Sequence, residues 1–194
     1  MNTQHKTVAV LGAGSWGTAL AIHLARAGLN VRLWGNLPEH IALLQQQRCN
    51  RQYLPDVAFP EALELYSSLE DTLSGDPLLV LIVIPSHAYR SFLHSSSTLF
   101  TPSMSIAWAS KGLEEGTGKL LHQVINEEIH QCDRLAVISG PTFAREVACD
   151  LPTAITVASE NEEVANEWRD CLHNGYFRAY TSNDIKGVEL GGAL

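Results

Sequence analysis

Residues 12–17 read Gly-Ala-Gly-Ser-Trp-Gly, and their surroundings leave the chain few folds to choose from. The apolar run TVAVL at 7–11 comes immediately before, TALAIHLARA at 18–27 has helical periodicity with Gly28 placed as its stop, and VRLW at 31–34 reads as a second strand. Strand, glycine turn, helix and strand in this order make a βαβ unit, whose crossover is right-handed by default. A lone G-x-G-x-x-G says little, but between a strand and a helix each glycine has its own reason. Gly12 serves the tight turn, Gly14 lets the backbone approach a pyrophosphate, and Gly17 allows the helix to pack closely on the strand. The helix N-terminus then presents N–H groups and the positive end of its dipole to phosphates.

The alternation continues. A helix is predicted at 38–47, a proline-punctuated loop at 53–60, a strand at 63–66 and a helix near 67–73. LLVLIVI at 78–84 is apolar throughout, as a central strand buried on both faces should be, and Pro85-Ser86 can open a helix. Strands at 105–109 and 135–139, a polar loop at 110–118 and helices at 119–130 and 143–148 follow, and strands at 153–158 and 176–180 flank a helix at 162–173. This pattern predicts an α/β fold: a Rossmann-type, doubly wound, mostly parallel sheet with helices on both faces. DIKGVELGGAL at 184–194 reads as a helix begun without a stop signal. The expected division is a dinucleotide-binding domain at 1–183 and, at 184–194, the first helix of a C-terminal helical domain otherwise absent from the sequence, with an apolar patch exposed around Glu189 and Leu190.

Charge and cysteine usage narrow the function classes. Thirteen Lys and Arg against 21 Asp and Glu give a net charge of −8, with no basic block, so the footprint of a nucleic-acid or anionic-membrane binder is missing. No run suits a signal peptide or a spanning helix. Four cysteines without a C-x-x-C spacing point to reduced thiols in a cytoplasm, and eight histidines outside any ligand-spaced cluster predict no metal site.

Cofactor choice is set about 20 residues past the first glycines, where an acid would bond the ribose 2′-OH of NAD. Here the stretch is Leu33-Trp34-Gly35-Asn36, with no carboxylate until Glu39, so the sequence admits NADP(H) or NAD(H) and leans to NADP(H). Asn36 can donate to either form, and Arg32 and Arg48 are candidate partners of a 2′-phosphate, with solvated surface roles the alternative. Ala109-Ser110-Lys111-Gly112 lies at the carboxyl end of a strand, where ligands bind in open α/β sheets. Lys111 there can stabilise an anion or a developing alkoxide, or be a solvated loop lysine. Ser139-Gly140-Pro141-Thr142-Phe143-Ala144 also follows a strand, and Thr142 can hold a substrate oxygen or cap a helix. These features support an NAD(P)-linked dehydrogenase, or a module that binds the nucleotide without catalysis.

Taken together, GAGSWGTALA at 12–21, IPSHAYR at 84–90, ASKGLE at 109–114, SGPTFAREV at 139–147 and GVELGGAL at 187–194 resemble the NAD(P)-dependent glycerol-3-phosphate dehydrogenases of bacterial type. The resemblance covers nearly the whole chain. It implies reversible reduction of dihydroxyacetone phosphate to sn-glycerol 3-phosphate for phospholipid synthesis, by a protein that is a homodimer when full length. It assigns Ser15 and Trp16 to the cofactor within the Gly12, Gly14 and Gly17 loop, and Asn36 to its adenosine end, where the family often has a basic or larger polar residue. Lys111 would touch cofactor and substrate and act in catalysis, Gly140 and Thr142 would hold glycerol phosphate, and Ala144 the cofactor. A lysine that serves as proton donor and acceptor is expected directly after Leu194, so the 194-residue piece alone is expected to be inactive. A β-hydroxyacid or nucleotide-sugar dehydrogenase of the same doubly wound type is the alternative that the fold alone leaves open.

Overall fold

The computed structural model describes residues 6–75 and 79–193. Ten strands and eight α-helices alternate among them: β1 (Thr7–Leu11), α1 (Ser15–Arg26), β2 (Asn30–Trp34), α2 (Pro38–Gln47), β3 (Cys49–Asn50), β4 (Leu54–Ala58), β5 (Leu63–Tyr66), α3 (Leu69–Thr72), β6 (Leu79–Ile82), α4 (Ser86–Ser96), β7 (Ser105–Trp108), α5 (Leu121–Glu128), β8 (Leu135–Ser139), α6 (Ala144–Ala148), β9 (Thr153–Ala158), α7 (Glu162–Leu172), β10 (Phe177–Ser182) and α8 (Ile185–Ala193). Eight strands form one sheet in the order β10-β9-β8-β7-β6-β1-β2-β5. Every pairing is parallel except β8 with β9. From β5 through β8 this is the doubly wound order 3-2-1-4-5-6, and the order reverses between β1 and β6. The expected mostly parallel Rossmann-type sheet is the observed one.

The sheet is covered on both faces because its central strands carry buried apolar side chains on both, at Val8–Leu11 of β1 and Leu79–Ile82 of β6. In β1, Val8 and Val10 point into one core with Leu20 and Leu24 of α1 and Trp168 of α7. Ala9 and Leu11 point into the opposite core with Tyr89 and Leu93 of α4 and Val124 and Ile125 of α5. The period of two in side-chain direction thus feeds two separate cores from one strand. Leu79–Ile82 splits the same way; Leu78, the predicted first residue of this strand, lies outside the described residues.

Three boundaries differ from the expectation for physical reasons. The first helix starts at Ser15 and not at residue 18, so Gly17 lies within it. The stretch predicted as a loop at 53–60 contains β4, which pairs antiparallel with β3 in a small hairpin, a pairing that no local periodicity records. The strand predicted to run to 84 stops at Ile82, where the chain leaves the sheet beside Gly12. The expected stop of α1 is observed: the Gly28 N–H bonds to the Ala25 carbonyl and the Leu29 N–H to the Leu24 carbonyl, the paired bonds of a Schellman motif.

Gly28 has φ +89° and open space where a Cβ would stand. Gly28→Ala therefore meets backbone strain alone and is expected to cost ~1–2 kcal/mol in a denaturant titration, without altering the cleft described below.

Candidate functional site

A cleft of about 950 Å³ opens at the carboxyl ends of β1, β2, β6 and β7, at the point where the strand order reverses. Of the residues singled out in the sequence, Gly12, Gly14, Ser15, Trp16, Gly17, Asn36, Lys111, Thr142 and Ala144 all line it. Gly140 stands behind the wall and is brought to it by Lys111, whose Nζ donates to the Gly140 carbonyl at 3.2 Å.

The floor of the cleft is backbone packed on backbone. Gly12 has φ +128°, and a Cβ there would collide with the carbonyl of Val83; a Cβ on Gly17 would collide with the carbonyl of Gly12. At Gly14, the N-cap of α1, a Cβ would meet nothing within 4 Å. That open side faces the N-terminus of a 12-residue helix that has no side-chain cap. Open space above a glycine, together with uncapped N–H groups, fits a dinucleotide pyrophosphate. Beyond it, the indole Nε1 of Trp16 is buried with no partner among the described residues.

The rim after β2 is built from Trp34, Gly35, Asn36, Leu37, His40 and Tyr53. Gly35 is pressed between Ile41 and Ala13, and His40 meets Tyr53 edge-on at 5.4 Å. No carboxylate lines this end among the described residues. The two arginines proposed for a 2′-phosphate are committed elsewhere, which corrects that expectation. Arg32 donates to the carbonyls of Thr72 and Ser74 and lies over the Tyr66 ring, while Arg48 donates to those of Leu63 and Pro60 and lies over Phe59. Each guanidinium is spent on backbone carbonyls outside the cleft, which neither arginine lines, a use that spacing from the glycines does not reveal.

At the opposite end, Lys111, Thr142, Phe143 and Ala144 face Val83, Ile84 and Pro85 across the cleft. Thr142 does not cap α6: the Phe143 N–H donates to Glu146, and the Thr142 hydroxyl is buried with no partner among the described residues. Gly140 is required by packing, since a Cβ would stand 2.7 Å from the Ala154 carbonyl oxygen. A lysine, an unpartnered hydroxyl and an uncapped helix N-terminus in one cleft can hold a dinucleotide and, beside it, a small anionic or carbonyl-bearing molecule.

Residues 7–165 match the family model described as the N-terminus of NAD-dependent glycerol-3-phosphate dehydrogenase. The chain belongs to this family. It is 48% identical over 195 aligned residues to glycerol-3-phosphate dehydrogenase (NAD(P)+) of Escherichia coli, covering 100% of this chain and 57% of that relative. The crystal structure of glycerol-3-phosphate dehydrogenase from Coxiella burnetii aligns with a TM-score of 0.91 at 44% identity, over 97% of this chain and 57% of that one. Prephenate dehydrogenase from Aquifex aeolicus, at 12% identity and a TM-score of 0.64 over 90% of this chain and 60% of that one, shares the fold alone. The chain thus spans somewhat more than half the length of its glycerol-3-phosphate dehydrogenase relatives.

Within this dehydrogenase fold, several residues that sequence reasoning passed over hold the cleft in shape. Asn50 is fully buried; its amide donates to the Ala13 carbonyl at 3.1 Å and the Thr18 hydroxyl at 2.9 Å, and its oxygen accepts from the Tyr53 N–H at 3.2 Å. One side chain therefore ties the β3–β4 hairpin to the glycine loop. Arg90 of α4 forms a two-pronged pair with Glu114 and reaches Glu127 and Glu128 of α5, fastening the middle of the loop that carries Lys111. A Cβ on Gly112, at φ +102°, would crowd the Ser86 hydroxyl, which keeps that loop close to α4. Only a map of tertiary partners distinguishes Asn50 or Arg90 from ordinary polar residues.

Asn50→Ala leaves the Ala13 carbonyl and the Thr18 hydroxyl without this donor in a dry place, so a loss of ~1–3 kcal/mol in unfolding free energy is expected, with weaker binding of NADH by fluorescence titration. Hydrogen bonds from Arg90, then from Thr117, hold the Glu114 carboxyl down at about 2, below its ordinary 4.5. A lowered carboxyl stabilises the fold above its unfolded value, and that hold is lost as pH falls from about 4.5 towards about 2. In Arg90→Ala, carbon-detected NMR titration should find the Glu114 carboxyl returned towards 4.5.

Proposed function

We propose that the protein containing this chain reduces dihydroxyacetone phosphate reversibly to sn-glycerol 3-phosphate with NAD(P)H, providing the backbone for glycerophospholipid synthesis. The observation that carries this function is Lys111, fixed against Gly140 at the end of the cleft beside the unpartnered hydroxyl of Thr142, in a chain 48% identical over its length to a glycerol-3-phosphate dehydrogenase.

When bound, the nicotinamide supplies the hydride. Gly12, Gly14, Ser15, Trp16 and Gly17 hold the cofactor at its pyrophosphate, Asn36 at its adenosine end and Ala144 near the substrate. Lys111 faces the oxygen on which negative charge grows as the carbonyl is reduced, and an ammonium fixed there favours the transition state over the ground state. Gly140 and Thr142 orient the glycerol phosphate portion. The proton for the new hydroxyl is assigned, by resemblance, to the lysine expected after position 194, with 184–194 opening the helical substrate domain. The rim without a carboxylate favours NADP(H) slightly over NAD(H), and with Arg32 and Arg48 engaged elsewhere that lean rests on the missing acid and on Asn36. The four unpaired cysteines suit a cytoplasmic protein, and a homodimer is the assembly carried over from the resemblance.

Oxidation of NADPH and of NADH should be followed with dihydroxyacetone phosphate and with unphosphorylated dihydroxyacetone, using the protein that contains this chain and the 194-residue chain alone. Turnover restricted to the phosphorylated ketone is expected, falling ~100-fold in Lys111→Ala. Equal turnover of both ketones would remove the phosphate from the assignment, and dinucleotide binding without turnover of either would leave a nucleotide-sensing module.

A further inference from the structure

Glu189 of α8 is an ionisable group that the proposed chemistry does not use, yet it is 8% exposed and engaged on both carboxylate oxygens. Its Oε1 accepts from the Trp108 indole N–H at 3.0 Å and from the His122 backbone N–H at 2.9 Å, and its Oε2 pairs with the His122 Nδ1. Trp108 ends β7 and His122 lies in the first turn of α5, so these two residues flank the loop 109–120 that carries Lys111. One carboxylate therefore fastens both ends of that loop to a third element. The same helix presses on the other side of the site, where a Cβ on Gly192 would collide with the Ser139 hydroxyl next to Gly140. Lys111, Gly112, Ser139, Glu189 and Gly192 line a void of only about 10 Å³, so the base of the loop is packed closely against α8.

A carboxylate suits this position. The first turn of α5 has an N–H with no intrahelical partner and the positive end of a dipole, and Glu189 answers both from outside the helix. An apolar side chain would fill the volume but bond to neither donor, leaving the Trp108 and His122 N–H groups unpaired in a buried place.

We propose that Glu189 is a positioning residue for the Lys111 loop, a clasp that closes the loop at its base and so sets the Lys111 ammonium against Gly140. Its kinetic consequence rests on the assigned reaction; the clasp itself does not. The exposed patch expected around Glu189 and Leu190 is thereby half corrected: Leu190 is 47% exposed, while Glu189 points inward.

In the protein that contains this chain, Glu189→Ala should lower kcat/KM for dihydroxyacetone phosphate ~10- to 100-fold. The dissociation constant for NADH should rise by a smaller factor than kcat/KM falls, because the glycine loop lies outside the clasp and only the contact assigned to Lys111 is loosened. If Glu189 acts through Lys111, adding Glu189→Ala to Lys111→Ala should cost little more, the two effects failing to multiply. Glu189→Gln keeps the oxygen that faces Trp108 and the His122 N–H, and should recover most of the loss. Hydrogen exchange of the 194-residue chain is the readout independent of activity: Glu189→Ala should speed exchange across 109–120 and leave 12–17 unchanged. Where Glu189→Ala does not fold, His122→Ala with Glu189→Gln as its control carries the same comparisons. Multiplying effects in the double variant, equal losses in NADH binding and turnover, or unchanged exchange in the loop would each overturn the clasp. If the unaltered protein does not reduce dihydroxyacetone phosphate, the assigned reaction falls and the exchange result decides the clasp alone.

Discussion

Backbone presses on backbone where β1 passes into α1, and the shape of the cleft follows from that contact. The Cβ position of Gly12 is filled by the Val83 carbonyl, and that of Gly17 by the carbonyl of Gly12. The glycine loop and the segment after β6, some seventy residues on, therefore meet backbone to backbone. Dense packing of this kind does not deform gradually, so the chain after β6 has to leave the sheet at Val83 and turn through Pro85 into α4. β1 and β6 stay paired to their ends while the helices that follow them, α1 and α4, pack on opposite faces of the sheet; the cleft opens between those two connections, with the uncapped end of α1 lining it. Fold and anion site share a cause here: a side chain at Gly12 or Gly17 would damage both together.

Apolar burial explains why the layers adhere but not why the loops above them hold one arrangement, because hydrophobic contact has no direction. Direction comes from a few polar groups with several partners each, Asn50 and Glu189 buried and Arg90 half-buried. Asn50 spends its amide hydrogens on Ala13 and Thr18 and so orients the turn before α1. Arg90 spends its guanidinium on three glutamates and holds the middle of the Lys111 loop, while Glu189 holds the ends. Asn50 and Glu189 would be costly to bury alone and are tolerated because their partners are complete, which also favours one arrangement over others.

The parts of this molecule legible in the sequence are those that local chemistry dictates. Continuous apolar runs marked β1 and β6 as strands buried on both faces, three glycines in fixed order marked the turn, and Gly28 marked the end of α1 through the positive φ that its Schellman bonds require. Lys111 and Thr142 were visible as chemistry-bearing residues at strand ends, and the fold brings both to the same cleft. What stayed hidden depends on partners distant in sequence. Asn50 lies 37 residues from the carbonyl it holds, and Glu189 lies 81 residues from Trp108. For Arg32 and Arg48 the sequence left a 2′-phosphate or a surface role open for the same reason, since the carbonyls that hold them belong to other segments.

The two ends of the cleft are therefore rigid for different reasons. Around Gly12, Gly14 and Gly17 the fit is steric, made of backbone atoms that carry no titrating charge, and neither salt nor proton concentration acts on it directly. Around Lys111 the loop is held by carboxylates, with Glu114 kept ionised by Arg90 and Glu189 paired to His122. No hydrogen bond or ion pair among the described residues joins the Lys111 loop to the glycine loop directly; the two meet through 82–84, where Gly12 packs on the Val83 carbonyl and the Ser110 hydroxyl accepts from the Ile84 N–H. Affinity for the dinucleotide and placement of the lysine therefore rest on different fastenings around one shared segment. A fold with a fixed nucleotide cradle can in this way change what it does at the other end by altering a few polar fastenings, without touching the packing that makes it fold.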